Sequence, residues 1–124
     1  MKLPEEVESG NIEYKVKIDP DNKIRLNELI SQLKWRVNEG NGYAYYYIGV
    51  ADDGDIEGIS KANYGITMKN LSKMTKEIDC KITDVEKKEY KKKIWYKIKI
   101  EKLENDYDNY KIIFIGPQIL VKQH

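Results

Sequence analysis

Two carboxylates, Glu8 and Glu13, stand five residues apart in the stretch VESGNIEYKVKI. The second opens the triplet Glu13-Tyr14-Lys15, where an alternating segment begins. Carboxylates that converge on Mg2+ or Mn2+ can cut a phosphodiester: the hard ion takes oxygen ligands, neutralises the phosphate and lowers the pKa of a bound water. Lys15, on the same strand face as Glu13 by the two-residue repeat, could steady the oxygen on which charge develops. The other reading is plainer. Glu13, Lys15 and Lys17 are then the solvated face of a half-buried strand, and Glu8 is a loop residue. The residues by themselves leave both open.

A different chemistry is written in KITDVEKKEYKKKIWYKIKIEK, residues 81–102. This segment holds nine lysines against four acids, in a chain whose net charge is only +1. Tyr90, Trp95 and Tyr96 interleave with the charge. Phosphate contacts from lysine combined with base stacking on aromatics are how RNA is held. The candidate contacts are Lys87, Lys88, Lys91, Lys92, Lys93, Trp95 and Lys97. The bland alternative is a solvated hairpin whose lysines discourage edge-to-edge pairing. The LKWR stretch adds Lys34, Trp35 and Arg36 to the candidates. Trp35 lies about 200° around a helix from Leu33, off the apolar stripe, and could serve as a platform for RNA or a partner.

Other chemistries are excluded by what is missing. The single cysteine, Cys80, and the single histidine, His124, allow no intrachain disulfide, no Cys/His zinc site and no His-based triad. Cys80 reads as a small buried residue and His124 as a frayed end. No G-x-x-x-x-G-K-[ST] loop occurs, so a P-loop nucleotide site is out. No signal peptide and no run of about 18 apolar residues appears, so a cytoplasmic protein without a membrane partner is expected. Charged residues make up 35% of the chain. The heavy use of Lys, Ile, Asn and Tyr is what an AT-rich genome, a viral one included, produces.

The elements that must position these residues follow from periodicity. Alternation over 11–18 predicts a strand. The DPDN turn then leads into a helix over 23–39, with Leu26, Leu29, Ile30, Leu33 and Val37 on one face and Gly40 as its stop. Residues 43–51 read as a strand, followed by a DDGD turn and a short return strand over 56–59. Ser60 caps a second helix with a Tyr64, Thr67, Met68, Leu71, Met74 and Ile78 stripe. Two strands over 81–90 and 93–102 make a hairpin; a loop over 103–110 and a strand over 111–116 follow. The predicted order is β-α-β-β-α-β-β-β, an α+β single domain spanning 1–124 with two helices on a mixed or antiparallel sheet.

Three blocks together carry a resemblance: GNIEYKVKI, QLKWRVNEGNG and YIGVADDGDIEGIS. In that order and spacing, across about residues 3–116, they resemble the region that precedes the GTPase domain in the GTP-binding protein 1 and 2 family, translational GTPases related to elongation factor 1-alpha. In that family a strand similar to KIIFIG runs into a phosphate-binding loop, whereas here PQILVKQH follows. The resemblance therefore implies a stand-alone module without a GTP site, with RNA (tRNA, rRNA or mRNA), the ribosome or translation factors as partners.

A second resemblance bears on the carboxylates. E-x4-E-[YF]-K, then a helix, then IGV-x-D-x-G-x-I-x-G is similar to the Schlafen core, an AlbA-like fold. Some Schlafens are metal-dependent endoribonucleases with three acids, which would fall here on Glu8, Glu13 and Asp52. The NEGNG segment departs from that family's Ala-Asn-Thr, and one lobe is present where those nucleases use two. Asp52 also suits the opening of a hairpin turn. The leading expectation is a non-catalytic RNA- or translation-factor-binding module that needs no cofactor. The alternatives are a Mg2+/Mn2+ nuclease and a pure protein-docking module.

Overall fold

Asn22 begins the first helix by accepting a 2.8 Å hydrogen bond from the Arg25 amide, and Ser60 does the same for the second through Asn63 at 3.2 Å. Each satisfies an amide that the helix start leaves without a partner. In this computed structural model, which describes residues 2–103, 110–114 and 118–122, the elements run β1 (Ile12–Lys15), α1 (Lys23–Glu39), β2 (Tyr43–Ile48), α2 (Lys61–Glu77), β3 (Cys80–Tyr90), β4 (Lys93–Lys102), β5 (Tyr110–Phe114) and β6 (Gln118–Lys122).

Four strands form one mixed sheet in the order β1-β2-β4-β3, and β5 pairs with β6 separately. β1 is parallel to β2, with Glu13 opposite Tyr46; β2–β4 and β3–β4 are antiparallel. The α+β class with two helices packed on a mixed sheet is as expected. Several local expectations change, and β2 ends at Ile48 rather than at residue 51. β1 stops at Lys15, the return strand over 56–59 reduces to a single bridge between Val50 and Ile56, and a further strand, β6, lies in the PQILVKQH tail. The 103–110 loop falls mostly outside the described residues, and so does His124.

Both helices lie on one face of the sheet. Leu29, Leu33 and Val37 of α1 and Leu71 and Met74 of α2 pack on Ala44, Tyr46, Ile48, Ile98 and Ile100. The two periods, 3.6 and 2, bring these sets to one plane. Each fully buried aliphatic side chain contributes about 1.5–3 kcal/mol relative to exposure. Polar side chains of α2 hold the chain after β1: Thr67 Oγ1 accepts from the Ile18 amide at 2.9 Å, and Asn70 donates to the Ile18 carbonyl at 3.0 Å. Cys80 is buried in this layer, and burial raises its thiol pKa.

The opposite face has a second, smaller core. Tyr14, Val50, Ile56 and Trp95 cluster there, with Leu3, Tyr47 and Tyr90 against them. The N-terminal segment covers this end as a strap: Leu3 N–H donates to Gly54 O at 2.9 Å and Glu6 N–H to Asp52 O at 2.8 Å. Gly54 has φ +90°, and an added Cβ there would sit 1.9 Å from the Leu3 carbonyl oxygen. Only glycine allows the strap to close so tightly.

β3 and β4 are joined by a two-residue turn, since Tyr90 pairs with Lys93. Lys91 and Lys92 take φ of 49° and 65°. That is the type I′ turn, in which asparagine and glycine are favoured because both central residues need positive φ. Lysine at both positions carries a backbone cost. Replacing Lys91-Lys92 with Asn-Gly should therefore stabilise the domain, by about 1 kcal/mol or more for relief of left-handed strain. Urea denaturation would show it as a higher midpoint at unchanged slope.

Candidate functional site

Glu13 does not lie on a solvated strand face. Its side chain points under α1 and is 1% exposed, and Arg36, 3% exposed, meets it there. Arg36 Nε donates to Glu13 Oε1 at 2.9 Å. Its Nη1 is within donating distance of the carbonyls of Glu8, Ser9 and Gly10 at 3.1, 3.2 and 2.9 Å. Lys15 Nζ is 3.6 Å from the other Glu13 oxygen. One guanidinium thus binds the β1 carboxylate and the loop before β1, using the forked donor geometry that lysine lacks.

A second carboxylate joins this one, and it is Glu6 rather than Glu8. Glu6 accepts a hydrogen bond from the Tyr14 amide and shares a side-chain hydrogen bond with Glu13. Burial pushes the Glu6 pKa up to about 7, helped by that hydrogen bond and by the charges of Glu13 and Asp52; the Tyr14 amide pulls it down in part. Tyr46, paired with Glu13 across the strands, has its hydroxyl buried here without a partner among the described residues.

The three acids of the nuclease reading are not assembled as that chemistry requires. Glu8 is exposed, and its backbone carbonyl, not its carboxylate, meets Arg36. Asp52 is exposed at the strap. Glu13 has one oxygen on Arg36 and the other beside Lys15. Among the described residues no group of three or more His, Cys, Asp or Glu side chains is placed to hold a metal ion. These residues therefore do not fit Mg2+ or Mn2+, and Lys15 is an ion-pair partner of Glu13.

The RNA-contact candidates divide. Trp95 is 9% exposed in the second core, its ring tilted 47° against that of Tyr47 at 5.6 Å, so it is no surface platform. Arg36 is likewise withdrawn from the surface by Glu13. Both are candidate RNA contacts by sequence, and their burial withdraws them from a binding surface. Trp35 is 46% exposed beside exposed Lys34. Lys87, Lys88, Lys91, Lys92 and Lys93 are all exposed at the distal part of the hairpin. Lys88 lies 3.7 Å from Glu86. Lys97 is half-buried on the helix-free face, its ammonium 4.6 Å from the centre of the Tyr45 ring, and Lys99 lies 5.2 Å from that of Tyr43. Asp84 and Glu86 stand opposite Lys99 and Lys97, so this face is charge-balanced. The tip is not. Beside it a cleft of about 350 Å3 is lined by Lys2, Lys91 and Lys93 with Asp55, Ile56 and Tyr90.

Sequence reasoning missed Glu6 altogether and gave Arg36 a different role. Arg36 carried a signal: it falls seven after Leu29 and three after Leu33, on the buried stripe itself. Glu6 carried none, being one of several acids in an irregular segment.

In the folded state Glu6 has a raised pKa, so it holds its proton over a range where the unfolded chain has lost it. The stability it contributes is full below about pH 4.5 and declines as pH rises to about 7. Glu6→Gln mimics the protonated acid: its carbonyl can accept from Tyr14 and its amide can donate to Glu13. Denaturation midpoints from pH 4.5 to 8 should fall less steeply for this variant, which should exceed wild type at pH 8. Arg36→Met leaves the buried Glu13 with only the longer Lys15 contact at 3.6 Å and should cost about 3–5 kcal/mol, with Arg36→Lys intermediate. Equal stability of Arg36→Met and wild type would show the pair to be dispensable.

No protein-family model matches the chain, and no solved structure matches it significantly. The chain is similar to GTP-binding protein 2 of mouse and of human, 39% identical over 87 residues in each case. Those residues are 70% of this chain but only 14% of the relative's length. It is also similar to an uncharacterised protein of Acanthamoeba polyphaga mimivirus, 36% identical over 59 residues, which are 47% of this chain and 32% of that protein. Among the described residues no helix is long and apolar enough to cross a membrane. The extent of the match relates this chain to a small part of GTP-binding protein 2.

Proposed function

We propose that the chain is a non-catalytic RNA-binding module that works with the translation machinery, in the setting of a GTPase, through the tip of the β3–β4 hairpin. The observation that carries this reading is the tip itself: five exposed lysines, Lys87, Lys88, Lys91, Lys92 and Lys93, with a single acid, Glu89, among them. The similarity to GTP-binding protein 2 supports the setting. Lysine is a mobile point charge that holds phosphates and reads no particular base. The cleft with Lys2, Lys91 and Lys93 offers a place where a backbone phosphate can be held from several sides. Trp95 supports the hairpin from beneath.

RNA affinity should accordingly be salt-dependent and tolerant of sequence. Replacing Lys91, Lys92 and Lys93 with Gln should weaken binding to single strands of any sequence and flatten log K against log salt by up to about 2, at about 0.7 per lost contact. The melting temperature should hardly move, since exposed substitutions cost under about 0.5 kcal/mol. Trp95→Ala should instead lose stability, by about 3 kcal/mol or more, because it empties the second core. Unchanged RNA binding by the triple variant across all salt concentrations would remove the hairpin from the reading.

A further inference from the structure

Among the described residues, a second group of lysines without a carboxylate partner lies away from the hairpin. They surround a groove on the outer side of the helix layer. This groove, about 390 Å3, runs between the first half of α1 and the end of α2. Leu26 and Ile30 form its apolar floor, and Lys23, Lys73 and Lys76 its rim, with Glu77 as the one acid. Lys69 continues the stripe on α2, since residues i, i+4 and i+7 fall on one face. All four lysines are exposed. Among the described residues none has a carboxylate within 4.0 Å, the four ion pairs there involving other lysines and Arg36.

This arrangement works against the helices that carry it. Lys69 with Lys73, and Lys73 with Lys76, place like charges at i,i+4 and i,i+3, which disfavours a helix by a few tenths of a kcal/mol per pair. Lys23 sits in the first turn of α1, where the macrodipole disfavours a cation, and neither helix has an acid in its first turn. Lys76, in the last turn of α2, is the exception that the dipole favours. Glu77, four residues after Lys73, offsets only part of this repulsion, and a rim of three lysines and one acid around an apolar floor is complementary to a ligand with both negative charge and apolar side chains.

We propose that the α1–α2 groove docks an acidic, amphipathic peptide segment of a partner protein, its large apolar side chains on Leu26 and Ile30 and its carboxylates on Lys23, Lys69, Lys73 and Lys76. The apolar floor, with no aromatic ring to stack on a base, separates this surface from one built for nucleic acid. The proposal stands independently of the RNA reading, because it uses a different surface and a different ligand.

The test is selection of random 16-residue peptides displayed on phage against the intact chain. The isolated peptides are then measured by fluorescence anisotropy on wild type and on the Lys69→Glu/Lys73→Glu/Lys76→Glu variant. Enriched sequences should pair Leu, Ile, Phe or Met at a spacing of three or four with flanking Asp or Glu. The variant should bind them at least about tenfold more weakly. The milder Gln triple variant should lie between the two, and it serves in its place if the Glu variant does not fold. Failure to enrich any peptide, or peptides that bind wild type and variant alike, overturns the proposal. Oligouridine or phosphatidylserine vesicles are measured alongside. If either binds the lysine stripe more tightly than the selected peptides, the surface belongs to nucleic acid or to a membrane, and the peptide proposal fails.

Discussion

The Glu13–Arg36 pair is the interaction on which the arrangement of the first half of the chain depends. Two buried charges are stable only when each supplies what the other lost in leaving water. Here one guanidinium answers one carboxylate and also reaches three carbonyls of the loop before β1. Strand, loop and helix therefore cannot shift separately. A slip of β1 by one residue would put Tyr14 beneath α1 and turn Glu13 away from its partner, so the pair also specifies register.

From that constraint follows the unequal treatment of the two sheet faces. Among the described residues the helix-covered face is apolar except at the ion pair, at Thr67 and Thr75, and at the Tyr46 hydroxyl. The other face is divided. Toward Trp95 it is closed by the strap and the turn around Gly54; toward Tyr43 and Tyr45 it is polar, with lysines lying over tyrosine rings and acids opposite them. The lysines of that open half are engaged by rings and facing acids, whereas those of the hairpin tip and the helix layer are less so. Surplus charge is thus concentrated at two places far along separate elements, one on a turn and one beside an apolar groove.

Much of the fold was legible because it rests on local patterns. The α1 stripe and the alternation of β2 and β4 each reflect a single period read over consecutive residues, and the DPDN turn and Ser60 mark where the helices begin. What was not legible depended on partners distant in the chain. Glu13 alternates as a solvent-facing residue should, and only the placement of Arg36 beneath α1 makes it a core residue. Trp95 likewise alternates with Ile94 and Tyr96, and its burial comes from the strap and from residues 50–56, which no period announces. For the candidate site, the lysine-rich tip was visible as composition. The groove lysines were not, because α1 and α2 had to be brought side by side before Lys23 and Lys73 belonged to one surface.

The sheet order carries a consequence for how the chain is made. β4 is spatially central, between β2 and β3, yet it comes from residues 93–102, near the end of the described four-stranded domain. Its partner β2 has left the synthetic machinery long before, with Ala44, Tyr46 and Ile48 ready to be buried and half of its backbone groups still without a ladder. Pairing such as Tyr45 with Lys99 is distant in sequence and must wait for the β3–β4 hairpin to close. Until then the β1-α1-β2 segment exposes a strand edge beside an incomplete core, the condition under which nascent chains associate wrongly. A fragment ending before β4 would inherit that condition permanently, so the smallest piece of this domain able to fold must extend through the whole of the hairpin.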